Sequence, residues 1–109
     1  MPGPTKFNAL DTKTLTVNGA TVFSNVVNAT ITFDPPAIAT LTGADSSAIT
    51  VTGAALGDRV LLFPPYDTAG LIIYGRVSAA NQIKITMYNP TGASIDLASG
   101  SWKVKVLRP

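Results

Sequence analysis

The run from Leu71 to Tyr88 admits very few folds. Its second half, Gln82-Ile83-Lys84-Ile85-Thr86-Met87-Tyr88, alternates strictly, with Ile83, Ile85 and Met87 on one side and polar or amphipathic residues on the other. Successive strand side chains point to opposite faces, so a period of two is the mark of a half-buried β-strand. The first half, Leu71–Ser78, carries the same period. With Ala79-Ala80-Asn81 as the loop, Val77 comes to face Ile83, Gly75 to face Ile85 and Ile73 to face Met87. A slip of one residue would turn this whole apolar set outward, so the pattern specifies the register. The other face carries Ile72, Tyr74 and Tyr88 and sets Arg76 against Lys84. Aromatic rings beside two like charges suit a face that meets a partner better than one that meets only water, because Tyr and Arg are enriched at interfaces. The opposed cations call for a nearby acid: Asp96, Asp58 or one from another chain.

The rest of the chain follows the same grammar. Thr14–Asn18 alternates and runs into Asn18-Gly19, the dipeptide that type I′ hairpin turns favour, and Ala20–Ser24 forms the return strand. Asn25–Asn28 is expected to break the chain before a short third strand, Ala29–Phe33, which Asp34-Pro35-Pro36 ends because proline cannot donate to a ladder. A weak strand at Ala37–Leu41, a turn at Gly43–Ser47, and a strand at Ala48–Thr52 with Ile49 and Val51 inward come next. Gly57-Asp58 turns the chain into Arg59–Phe63, which is apolar on both faces. Such a run is expected to be covered on both sides, one side by the core and the other by a loop, the N-terminal arm or another subunit. Leu61 and Phe63 are the candidates there, with a core position the alternative for Phe63. Ile95 and Leu97 are expected to pin the polar stretch Asn89–Gly100 to the core. In the last strand, Ser101–Leu107, Trp102, Val104 and Val106 face in while Lys103 and Lys105 face out. Eight or nine short strands, Gly/Asn/Asp/Pro turns and no helical period predict an all-β chain, an antiparallel β-sandwich or jelly roll with an extended N-terminal arm. The organisation expected is an arm over 1–13, a hairpin and strand over 14–36 and a sandwich core over 37–109, in one domain overall.

Chemistry is the scarcer commodity. The chain has no His, no Cys and no Glu, so proton shuttling, thiolate attack and thiolate metal sites have no candidates. Its six acids are all Asp, and Asp34, Asp45, Asp58, Asp67 and Asp96 sit in turn-like contexts where Asp caps backbone N–H groups. No Asp-rich calcium loop, P-loop or dinucleotide fingerprint is present. No enzyme activity and no cofactor is therefore expected. The formal charge of +2 comes from 8 basic and 6 acidic residues with no basic run, so no nucleic-acid partner is expected. No apolar run approaches the ~20 residues of a membrane helix, and Met-Pro-Gly-Pro-Thr-Lys lacks the apolar core of a signal peptide, so no membrane partner is expected and synthesis is placed in the cytoplasm. Only 13% of residues are charged against 46% hydrophobic, where soluble domains average about 25% charged. A surface so poor in charge suits a chain covered by copies of itself or by a larger assembly.

One block has a familiar order. Ile-Thr-Val-Thr-Gly-Ala-Ala-Leu-Gly-Asp-Arg-Val-Leu, then Ala-Gly-Leu-Ile-Ile-Tyr-Gly-Arg-Val-Ser-Ala-Ala-Asn-Gln-Ile-Lys-Ile, then Asn-Pro-Thr-Gly-Ala-Ser-Ile-Asp, then Ser-Trp-Lys-Val-Lys-Val resembles small structural proteins of tailed-bacteriophage morphogenesis modules. Some of these are head decoration (cement) proteins and others are tail-fibre modules. The resemblance implies a virion structural protein: a β-sandwich that trimerises on the outer capsid surface, contacts the major capsid protein lattice and stabilises the shell without catalysing a reaction. It implies interface roles for the arm around Phe7 and Leu10 and for the outward face of the hairpin, Ile72, Tyr74, Arg76, Lys84 and Tyr88. The alternatives are a tail-fibre or receptor-binding β module and a small carbohydrate-binding adhesin domain.

Overall fold

A computed structural model describes residues 14–109 of the chain; the expected arm, with Phe7 and Leu10, lies outside the described residues. The alternating runs become strands β1 (Leu15–Val17), β2 (Ala20–Phe23), β3 (Asn25–Phe33), β4 (Gly43–Asp45), β5 (Ile49–Thr50), β6 (Arg59–Phe63), β7 (Ile72–Ala79), β8 (Gln82–Tyr88) and β9 (Gly100–Arg108). The all-β, antiparallel class expected from the sequence is the one the chain adopts. β1 and β2 form a two-stranded hairpin, and the remaining strands form one seven-stranded sheet in the order β3-β9-β6-β7-β8-β4, with β5 also pairing with β8.

The β7–β8 register is the expected one: Ile73 faces Met87, Gly75 faces Ile85 and Val77 faces Ile83. The turn is one residue shorter than expected, because the pairing shifts after Val77 and Ala79 itself faces Gln82. Asn81, at φ 63°, takes the left-handed position of that turn, which Asn tolerates better than most residues. Its peptide is held from the side: Val51 N–H donates to the Asn81 carbonyl at 2.9 Å, Asn81 N–H to the Ala54 carbonyl at 2.8 Å, and Gly53 N–H to Asn81 Oδ1 at 2.8 Å. Gly75 is required by close packing, since a Cβ there would lie 2.7 Å from Val60 Cγ1 on β6. The Asn18-Gly19 turn has positive φ at both residues, 51° and 80°, as a type I′ turn demands. The hairpin it closes stands off the main sheet, with Val17 and Val22 about half exposed.

Four local expectations are corrected. Asn25–Asn28 does not break the chain: β3 is continuous over nine residues because it pairs with β9 along its whole length, from Asn25↔Arg108 to Phe33↔Gly100. Ala37–Leu41 is not a strand; it contributes a single bridge, Ile38↔Ile95. Gly43–Asp45 is not simply a turn, because it pairs with Thr86–Tyr88 as β4. Between β4 and β5 the ladder on β8 is carried on by Ser46, whose N–H donates to the Ile85 carbonyl at 2.7 Å and whose hydroxyl accepts from Ile85 N–H at 2.9 Å. The strand expected over Ala48–Thr52 is reduced to Ile49–Thr50, with Ile49 half-buried and Val51 buried.

The inner face of the sheet forms one core. β3 supplies Ile31 and Phe33, β8 supplies Ile83, Ile85 and Met87, and β9 supplies Trp102, Val104 and Val106, as the alternation predicted for β8 and β9. Connecting segments add Ile38, Val51, Ala54 and Leu97. Trp102 is fully enclosed, with Phe33 and Tyr66 edge-on to it at centroid distances of 5.3 and 6.0 Å. Its indole N–H donates to the Tyr66 hydroxyl at 3.3 Å, and that hydroxyl donates onward to the Ala98 carbonyl. Gly100 leaves room for this arrangement, because a Cβ there would meet Pro65 at 2.9 Å and Tyr66 at 3.2 Å.

Asn89 is the one polar residue buried as a whole among the described residues, and every polar atom of its amide is used. Its Nδ2 donates to the carbonyls of Ile38 at 2.9 Å and Ala93 at 2.7 Å. Its Oδ1 accepts from Thr91 N–H at 2.9 Å and the Thr91 hydroxyl at 2.6 Å. Removing a buried amide strands these groups at a cost of about 1–3 kcal/mol, so Asn89→Ala should lower the unfolding free energy from urea titration by that amount. Trp102→Ala should cost more, about 3–5 kcal/mol, in the same unfolding measurement.

Candidate functional site

The outer face of the seven-stranded sheet is where the sequence placed its candidates. The β7–β8 register sets Ile72 beside Tyr88 and Tyr74 beside Thr86, and Ile72, Tyr74 and Tyr88 are 55%, 52% and 40% exposed. β6 adds Leu61 and Phe63, which point the same way from the middle of the sheet. Val60 of β6 faces the core, and of the covers expected for the other side no described loop lies over Leu61 and Phe63, while the arm lies outside the described residues. Phe63 is therefore an outer-face residue and not part of the core. Together these five side chains make a contiguous apolar patch across β6, β7 and β8.

Around the patch stand the charges. Arg59 of β6 pairs with Arg76 of β7, which pairs with Lys84 of β8, so three cations lie in one row across the sheet. Lys103 and Lys105 project from β9 beside Phe63 and Leu61. The acid that relieves the Arg76–Lys84 repulsion is Asp45 on β4, and neither Asp96 nor Asp58 serves. Arg76 Nη2 donates to Asp45 Oδ2 at 3.0 Å and Arg76 Nη1 to the Thr86 hydroxyl at 2.6 Å, while that hydroxyl donates to Asp45 Oδ1 at 2.7 Å. The Thr86 hydroxyl first and Arg76 second hold the Asp45 carboxyl below its ordinary pKa. Asp45 is the single acid on the outer face among the described residues, and Lys105 reaches only the neutral Asn28 side chain, at 2.7 Å.

Asp58 has a structural task at one end of the sheet. Its side chain is almost enclosed and takes both Arg108 Nε and Nη2, at 3.0 and 3.1 Å, together with Ala55 N–H at 3.1 Å. The two bonds from Arg108, helped by Ala55 N–H, lower its pKa against the opposing effect of burial. Asp67 caps its own turn by accepting from Ala69 N–H at 3.0 Å. Tyr66 is a core-edge residue bound to Trp102. Among the described residues no three acids, His or Cys gather into a metal-binding group, and no helix is long and apolar enough to cross a membrane.

Two shallow open concavities border the sheet. One, of about 450 Å³, is lined by Asn28, Thr30, Phe63, Lys103 and Lys105 on the outer face of β3, β9 and β6. The other, about 460 Å³, lies where the β1–β2 hairpin approaches Arg59, Leu107 and Arg108. The first extends the apolar patch toward the β9 lysines. Comparison with known protein families, with curated proteins and with solved structures gives no match to this chain.

Two outcomes follow from this geometry. Phe63→Ser and Tyr74→Ala should each change folding stability by under about 1 kcal/mol in urea titrations, as outer-face substitutions do, whereas a core aromatic would cost several times that. The depressed Asp58 and Asp45 carboxyls stabilise the fold above their ordinary pKa of 3.8, and that contribution is lost as pH falls through their lower folded values. Thermal midpoints should fall below about pH 4, and Asp58→Asn should flatten that part of the profile.

Proposed function

We propose that this protein is a virion structural protein, a capsid decoration (cement) protein that binds the outer capsid surface as an oligomer and stabilises the shell. The observation that carries the reading is the uncovered outer face of the sheet, where Leu61, Phe63, Ile72, Tyr74 and Tyr88 form an apolar patch on a rigid scaffold. Exposed apolar patches of this kind mark surfaces that meet another macromolecule, and aromatic residues with Arg are the usual makings of an interface centre. The likeness of the segment from Ala48 to Leu107 to phage morphogenesis proteins supplies the identity of the assembly. In this reading the protein is made in the host cytoplasm, assembles as a homotrimer on the major capsid lattice, and uses the segment before Thr14 as a docking arm.

A second reading, a glycan-binding adhesin or receptor-binding fibre module, is favoured by the two solvent-facing tyrosines, Tyr74 and Tyr88, on a flat sheet. Glycan-array binding that disappears in Tyr74→Ala would support it over decoration.

Cryo-microscopy of purified particles tests the decoration reading directly. Density for this domain on the outer shell is expected, and its absence from the shell would overturn the proposal. Deletion of residues 1–13 should leave the domain folded by circular dichroism but remove it from capsids; unchanged occupancy would remove the docking role of the arm.

A further inference from the structure

The charges of the sheet domain are segregated. The outer face carries five cations, Arg59, Arg76, Lys84, Lys103 and Lys105, against the one acid Asp45. Three exposed acids lie at one end of the sheet. Asp34 leaves the end of β3 beyond the Phe33↔Gly100 pair, Asp67 follows Tyr66, and Asp96 precedes the Ala98 carbonyl that Tyr66 binds. No ion pair engages any of the three among the described residues. The Arg59–Arg76–Lys84 row crosses the sheet near the opposite end, level with Leu107 of β9. Leu107 and Gly100 are seven residues apart along β9, which is roughly 23 Å of strand. That exceeds the Debye length of about 8 Å at physiological salt, so the acids and the cationic row do not neutralise each other within one molecule.

The acidic end also presents an apolar knob. Leu41 is 67% exposed at φ 58°, a left-handed conformation that costs energy for a leucine. It is fixed there by the buried Asn89, whose carbonyl accepts from Leu41 N–H at 2.8 Å. Among the described residues, the outer face has apolar side chains with no segment over them, and the acidic end has an exposed leucine.

We propose that copies of this chain associate head to tail, with the acidic end of one copy (Leu41, Asp67 and Asp96) docking on the cationic outer sheet face of the next. The inference rests on the reading of the domain as an assembly protein and names the interface by which it assembles. Packing of two outer faces against each other is disfavoured, because each brings five cations against one acid to the contact. A head-to-tail contact joins unlike charges and covers both apolar surfaces. Such a contact is heterologous, and it closes into a ring when the rotation between copies permits.

Sedimentation equilibrium of the full chain supplies the test. The protein should self-associate at low salt and dissociate as salt rises. A base-reversed variant, Arg59→Asp with Lys84→Asp, and an acid-reversed variant, Asp67→Lys with Asp96→Lys, should each self-associate roughly tenfold more weakly or worse. All four sites are surface positions, and circular dichroism establishes that both variants fold. Mixing the two variants should restore association in equal proportion, because each then offers a charge opposite to the other's. A monomeric parent, undiminished association of either variant, or a mixture that stays apart would overturn the proposal. Loss of association in the base-reversed variant alone would overturn it in favour of a self-contact that uses the cationic face but not the acidic end. Capsid occupancy of the same variants separates the two ideas: head-to-tail association that persists without capsid binding sinks the decoration reading and leaves this one standing.

Discussion

Everything in the sheet depends on β9. It is paired on both sides, with β3 along nine residues and with β6 along five, and it carries Trp102 at the centre of the core. Burying an indole leaves its N–H in need of an acceptor, since an unmet buried donor costs about 1–3 kcal/mol. The Tyr66 hydroxyl meets that need and donates its own hydrogen bond to the Ala98 carbonyl. This relay ties the loop after β6 to the segment before β9. The position of Tyr66 in turn needs Gly100 to lack a side chain. One aromatic residue thus dictates the conformation of two connections and the identity of a glycine at the start of its own strand.

The outer face follows a different logic. Its side chains are held in rows by the same backbone ladder that builds the core, so the pattern of apolar and basic residues there is as well ordered as the core packing. Like charges directly opposed across strands are destabilising, and the Arg59–Arg76–Lys84 row does this twice. Asp45 and Thr86 relieve the middle of the row and leave its ends charged. A protein with so few charges that concentrates them in one row bears a small cost in isolated stability, and a partner of opposite charge offsets it.

Much of this was legible in the chain because a period of two is a local signal. The β7–β8 register, the inward Trp102, Val104 and Val106, and the outward Tyr74 and Tyr88 all follow from alternation alone. The misreadings have one physical source, which is pairing between distant segments. Asn25 and Asn28 look like a break, yet β9 holds them in β3, with Asn28 accepting from Lys105. Gly43-Ala44-Asp45 looks like a turn, yet the edge of β8 recruits it as a strand and brings Asp45 to Arg76. Arg59–Phe63 reads as apolar on both faces, and only the fold shows that Leu61 and Phe63 lie on the face away from the core. Asn89 reads as punctuation before Pro90; only the fold reveals that its amide joins two loops.

The place of β9 in the chain also governs the order in which the molecule can be made. β9 is the last strand in sequence, yet it lies between β3 and β6, so on a ribosome both must wait with unsatisfied edges until it emerges. Neither can close its half of the core without Trp102, and the contacts that matter most join residues about 70 positions apart or more. Chains whose native contacts are so distant in sequence fold slowly and expose strand edges in the meantime. The nascent polypeptide therefore has its greatest need of protection before β9 emerges, and the shortage of charge that suits the finished surface to contact is then a hazard.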